Sequence, residues 1–144
     1  MANPGPAVTT SAHPQGITSV QAQRLLFVYK GVSVGAATDF NLQVINSSNY
    51  SVQNILVTNS VTTATGASVS VASVNLGLYT APAKAGTAIL TAAALSSNTA
   101  NTVVYIVAPT TTASQAAQNL YVNISTAFVA GATVDVYVYG YDFS

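Results

Sequence analysis

Ala132-Thr133-Val134-Asp135-Val136-Tyr137-Val138-Tyr139-Gly140-Tyr141 alternates along its length. Ala132, Val134, Val136 and Val138 fall on one face; Asp135, Tyr137, Tyr139 and Tyr141 fall on the other. A period of two marks a strand with one face on a core. The second face is unusual, because three tyrosines stand where a monomer normally places charge. Upstream, Leu120 to Thr126 reads as another strand, and a loop carrying Gly131 follows it. Asn119 to Phe143 is therefore expected to be a β-hairpin. Tyr121 on its first strand would join Tyr137, Tyr139 and Tyr141 in a cross-strand aromatic ladder. Three readings of that face stay open. It is buried within its own fold, or it is a subunit interface, where tyrosine is enriched and charge depleted. The third is a carbohydrate platform.

The same periodicity recurs outward from this stretch. Thr102 to Ala108 reads as a strand stopped by Pro109, and a Thr/Ala/Gln linker covers 110–118. Thr87 to Leu95 has a helix's alanines but no charges, and it carries Ile89 and two threonines. It is expected to be a strand from Thr87 to Leu90, then a helical turn or loop. Ala67 to Leu76 alternates through Val69 and Val71 and slips by one at Val74; Gly77 to Pro82 continues extended. In Tyr50 to Thr63 the apolar parity shifts from Tyr50 and Val52 to Ile55 and Val57. That predicts a bulge or a sheet corner near Asn54-Ile55. Thr38 to Asn46 sets Phe40, Leu42 and Val44 against Asn41 and Gln43. Arg24 to Lys30 is apolar on both faces and suits a strand buried on both sides or a short core helix, the strand being favoured.

These are about eight strands, spaced about 10 to 15 residues apart, with no long amphipathic helix between them. The expected class is all-β: a β-sandwich or jelly roll. One domain should cover 21–144. Residues 1–20, with Pro4, Gly5, Pro6, Pro14 and Gly16, read as an extended or flexible N-terminal arm.

The chain has 144 residues, of which 4% are charged, against about 25% in an ordinary domain. Arg24, Lys30, Lys84, Asp39, Asp135 and Asp142 are the full set, and the net charge is zero. A monomer near zero net charge tends to self-associate. Either much surface is covered by partners, or Ser, Thr, Asn and Gln solvate it. Two lysines and one arginine argue against binding nucleic acid through its phosphates. Without cysteine there is no disulfide and no thiolate metal site. No run of about 20 apolar residues offers a membrane span. Met1 to Thr10 lacks a basic region and an apolar core, so it is no secretory signal. Cytoplasmic synthesis with function elsewhere, or in an assembly, is expected.

The chemistry of catalysis is poorly supplied. His13 is the single histidine and lies in the arm beside Pro14. It has neither further metal ligands nor a rigid element to aim it at a serine. Asp135 and Asp142 are seven residues apart, about 23 Å in an extended strand, too far for paired acid–base work. Asp39 could approach Asp135 only across strands. A self-formed isopeptide would have to use Lys30 or Lys84 and a carboxylic catalyst. No catalytic, cofactor-binding or metal-binding residue is assigned, and no cofactor is expected. The candidate site is the set Tyr121, Tyr137, Tyr139 and Tyr141.

Thr38-Asp39-Phe40, Asn49-Tyr50-Ser51-Val52, Val57-Thr58-Asn59, Gly77-Leu78-Tyr79-Thr80-Ala81-Pro82, Leu120-Tyr121-Val122 and Ala132 to Gly140 together resemble small structural proteins of tailed bacteriophages. The resemblance spans Arg24 to Phe143, and its closest type is the capsid decoration, or cement, protein. It implies a β-sandwich or jelly roll that assembles as a homo-oligomer, a dimer or trimer, on a virion surface. The implied partner is the major capsid protein or another virion protein, which the copies would strengthen without enzymatic activity. Adhesion by apolar contact would be fairly insensitive to salt. A tail, fibre or adhesin module binding a carbohydrate or host receptor is the competing reading.

Overall fold

A computed structural model describes residues 23–43, 47–96, 98–100 and 104–144. The expected arm over 1–20 and its His13 lie outside the described residues, as does the end of the strand expected over Thr38 to Asn46. Among the described residues there is no helix. The strands are β1 (Arg24–Ser33), β2 (Asp39–Gln43), β3 (Tyr50–Thr62), β4 (Asn75–Tyr79), β5 (Ala88–Ala94), β6 (Val104–Val107), β7 (Asn119–Thr126) and β8 (Ala132–Asp142).

They form two antiparallel sheets. The first has the order β1-β8-β3-β6 and the second β2-β7-β4-β5. Successive strands alternate between the sheets, apart from the β4–β5 pair. The alternating valines explain why. Each strand offers one apolar face, and two such faces shield one another from water better than either does alone. Phe27, Val52, Ile55, Val57, Val134, Val136 and Val138 of the first sheet share one core with Leu76, Leu78, Ile89, Leu120, Val122 and Ile124 of the second.

The largest departure from expectation concerns the C-terminal pair. β7 and β8 are not a hairpin. β7 pairs with β2 and β4, whereas β8 pairs with β1 and β3. The intervening residues carry the chain from one sheet to the other. Phe128 N donates to Val34 O (2.7 Å), and Gly131 N closes back on Phe128 O (2.9 Å). Gly131 has φ +75°, a conformation that glycine adopts without steric cost. Val34 N donates to Ala132 O at 2.9 Å, so the crossing is tied to the end of β1.

Three further strands differ from their reading. β1 is buried on one face only: Leu26 and Phe27 are in the core, while Leu25 and Val28 face solvent. β5 continues as a strand through Ala94, with no helical turn. Pairing against β4 supplies what the alanines' own helix preference does not. Ala67 to Leu76 is not one strand. It makes an isolated bridge, Val61 to Ser68, then turns at 72–73 before β4 begins. The parity shift in β3 is real, since its register against β8 slips between Val52 and Asn54.

Candidate functional site

β8 is an interior strand of the first sheet. Its valines point into the core, and Thr133, Asp135, Tyr137, Tyr139 and Tyr141 are half-buried on the outer face. The neighbours follow from register. Tyr137 lies between Val28 of β1 and Leu56 of β3. Tyr139 lies between Leu25 and Asn54. Tyr141 lies beside Ser51, and its ring is 6.5 Å from that of Phe143. Leu25, Val28 and Phe143 are 43%, 39% and 42% exposed, and they are three of the four large apolar side chains exposed among the described residues. The fourth, Val129, sits on the β7–β8 crossing.

These residues form one apolar and aromatic stripe. Cross-strand neighbours on one face stand about 5 Å apart, so the rings and aliphatic chains are contiguous. Tyr121 is not among them. It sits on the second sheet, paired with Asn41 and Tyr79. The expected four-tyrosine ladder is therefore a three-tyrosine row flanked by Leu25, Val28, Leu56 and Phe143. Sequence reasoning missed those four. The signal for Leu25 and Val28 was the apolar run on both faces of Arg24 to Lys30, which it took for double burial.

The outer face of the second sheet is different. There Asn123 Nδ2 donates to Asp39 at 2.7 Å, and Asp39 also accepts from Ala83 N at 2.8 Å. Tyr79 folds over Gly77, where a β-carbon would sit 2.6 Å from its ring. That face carries the Asp39 hydrogen bonds beside the Tyr79–Tyr121 pair.

The charged groups of the first sheet mark the ends of the stripe. Asp135 accepts from Gly31 N at 2.8 Å on one side and from Asn59 Nδ2 at 3.2 Å on the other. Lys30, beside Gly31, is exposed and makes no ion pair among the described residues. At the opposite end the Asp142 carboxylate is 3% exposed and paired with Arg24. It accepts from Ser47 Oγ (2.9 Å), Ser144 N (3.0 Å) and Ser144 Oγ (2.6 Å). Burial alone would raise its pKa, but the Ser144 and Ser47 hydrogen bonds and the Arg24 charge outweigh it and hold the carboxyl below its ordinary value. Asp39 and Asp135 lie on different sheets with separate partners, so they are not an acid–base pair. Among the described residues no group of three His, Cys, Asp or Glu could hold a metal ion.

Beneath one end of the first sheet, Tyr50 Oη donates to Ala117 O at 2.5 Å. Its ring is fully buried, and desolvation pushes the phenol up to about 12. Tyr50 and Gln115 also exchange backbone hydrogen bonds, and Ser51 Oγ donates to Thr112 O. The linker before β7 is thereby fastened to β3. Comparison with protein-family models, curated proteins and solved structures returns no match.

Proposed function

We propose that this chain is a non-enzymatic virion structural protein of the capsid decoration type. In this reading it is a jelly-roll β-sandwich that binds a head surface as an oligomer and stiffens it. The observation that carries the reading is the stripe on the outer face of the first sheet. Leu25, Val28, Leu56, Tyr137, Tyr139, Tyr141 and Phe143 run together there with no charge among them. Free-standing domains rarely leave such a face to water, and subunit interfaces are built from such residues. Tyrosine supplies large contact area with few rotatable bonds, so little freedom is lost on docking.

The strand order supports the fold part of the proposal. Sheets ordered β1-β8-β3-β6 and β2-β7-β4-β5 match an eight-stranded pair of Greek keys, an architecture used by capsid and lectin domains. The low charge content favours the adhesive role, because many copies with weak apolar contacts sum by multivalency on a symmetric lattice.

Antibody labelling of purified virions, read by electron microscopy, tests this. Regular label over the head is expected. Label confined to the tail or fibres would replace the proposal with the host-binding reading. Particles without label would sink both.

A further inference from the structure

We propose that the outer face of the first sheet pairs with the same face of a second copy. The two-fold axis would run parallel to the strands, between β1 and β8. The inference rests on the premise above that this face is an interface, and it names the occupant.

The argument starts from where the charges stand. Asp135 on β8 and Lys30 on β1 occupy one end of the face, Arg24, paired with the buried Asp142, stands at the other, and the rows between them are uncharged. An isologous contact must match the face to itself. Three simple arrangements bring the face onto its own copy. With the axis across the strands, Lys30 would lie towards the Arg24 end of the partner's β1 and Asp135 towards the partner's Tyr141. That sets like charges together and takes a carboxylate out of water against an aromatic ring, both costly. With the axis along β8, each Asp135 would face the partner's Asp135, and like charges repel. With the axis between β1 and β8, each β1 lies over the partner's β8. Lys30 then faces the partner's Asp135, Val28 the partner's Tyr137, and Leu25 the partner's Tyr139. Every row is complementary, and the ion pair occurs twice.

Dimensions set the strength. Asp135 to Phe143 spans about 26 Å at 3.3 Å per residue, and with this axis β1 and β8 of each copy overlap over about 10 Å. The projected overlap is about 250 Å² per copy, well below the roughly 800 Å² per partner of a standard interface. The dimer is therefore a weak one that forms and dissociates with concentration, the behaviour expected of a subunit locked in place by a larger assembly.

The chain's lack of cysteine makes the test clean. Sedimentation velocity of the wild-type chain from about 1 to 200 μM should show a weight-average sedimentation coefficient that rises with concentration as a weak dimer forms. Val28→Lys, at an exposed position, should leave the circular dichroism and thermal melt unchanged and abolish the dimer. Lys30→Asp should weaken it about tenfold, since it replaces an attraction with a repulsion. Geometry is read by mixing Val28→Cys chains with Tyr137→Cys chains and adding a short bismaleimide. Mixed crosslinked dimers should form in excess over Val28→Cys alone. A wild-type chain that stays monomeric throughout, or a dimer that survives Val28→Lys, overturns the proposal. These readouts use no virion. A dimer that never appears on particles refutes the virion reading alone, and a monomer that coats heads refutes the pairing alone.

Discussion

Gly31 and Asn59, on the strands either side of β8, both hold left-handed backbone, with φ +72° and +53°. Both donate to the same carboxylate, that of Asp135. Each sits at a slip in register, Gly31 between Tyr29 and Val32, Asn59 between Thr58 and Val61. One side chain thus fastens two bulges, and the bulges bend β1 and β3 around the strand between them. Asp135→Ala leaves both donors without this acceptor and should cost about 2 kcal/mol in urea denaturation. Asn59→Val should cost about 1–2 kcal/mol, because a branched side chain resists that backbone, whereas Asn59→Gly should cost less.

The Asp142 carboxyl is held below its ordinary value, so its contribution has a definite sign with pH. A depressed folded pKa gives stability that is present above the unfolded value, about 3.9, and lost as pH falls through the folded value. Unfolding free energy should be level from about pH 7 to 5 and fall below about pH 4. Asp142→Asn should flatten that acid limb and lower neutral-pH stability by about 1–2 kcal/mol. An unchanged acid limb in the variant would show that another group sets it.

Tyr50 behaves oppositely. Its folded pKa is raised from 10.0 to about 12, so its contribution is full below 10.0 and is lost as pH rises toward 12. Ultraviolet titration should show one phenol that ionises only near 12 or on unfolding. Tyr50→Phe should remove that late phase and cost about 1 kcal/mol, because the part-buried Ala117 carbonyl loses its donor. Hydrogen exchange at Gln115 should quicken in the variant.

Gly140 sits where β8 presses against β3. A β-carbon there would lie 1.9 Å from Ser51 O and 2.9 Å from Leu26 Cδ1. Backbone cannot step aside as a flexible side chain can. Gly140→Ala should destabilise by about 3 kcal/mol or more. A cost under about 1 kcal/mol would mean that the strands are free to separate there.

The two faces of β8 should answer mutation differently. Val136→Ala, in the fully buried core, should cost about 2 kcal/mol or more. Changing Tyr137, Tyr139 and Tyr141 together to Ser removes half-exposed rings and should leave a cooperatively folding chain with the wild-type circular dichroism spectrum. Association is what it should lose. Collapse of the triple variant to an unfolded chain would place those rings in the fold's own core.

Strand identity was legible where the fold's demands are local. The valines of β8 are buried because alternation puts them on one face, and no other element is needed to say so. The slip in β3 was legible for the same reason: a bulge moves the hydrophobic set to the other parity, from Val52 to Ile55. Partner choice was not legible. A loop with Gly131 serves a hairpin or a crossing between sheets equally well, and only the competition of β2, β4, β1 and β3 for β7 and β8 decides. Leu25 and Val28 show a second limit. An apolar side chain reads alike whether its own fold covers it or it is left open. Asn59 shows a third, because nothing in Thr58-Asn59-Ser60 distinguishes a left-handed asparagine from an extended one.

β8 comes after the other seven strands in chain order, yet it lies between β1 and β3. The first sheet therefore cannot close until residues 132–142 have been synthesised, and the stripe is assembled on that same strand. A chain stopped before residue 132 lacks Tyr137, Tyr139 and Tyr141 and presents no stripe. Any contact that needs the stripe is thereby withheld from such truncated copies without a separate inspection step.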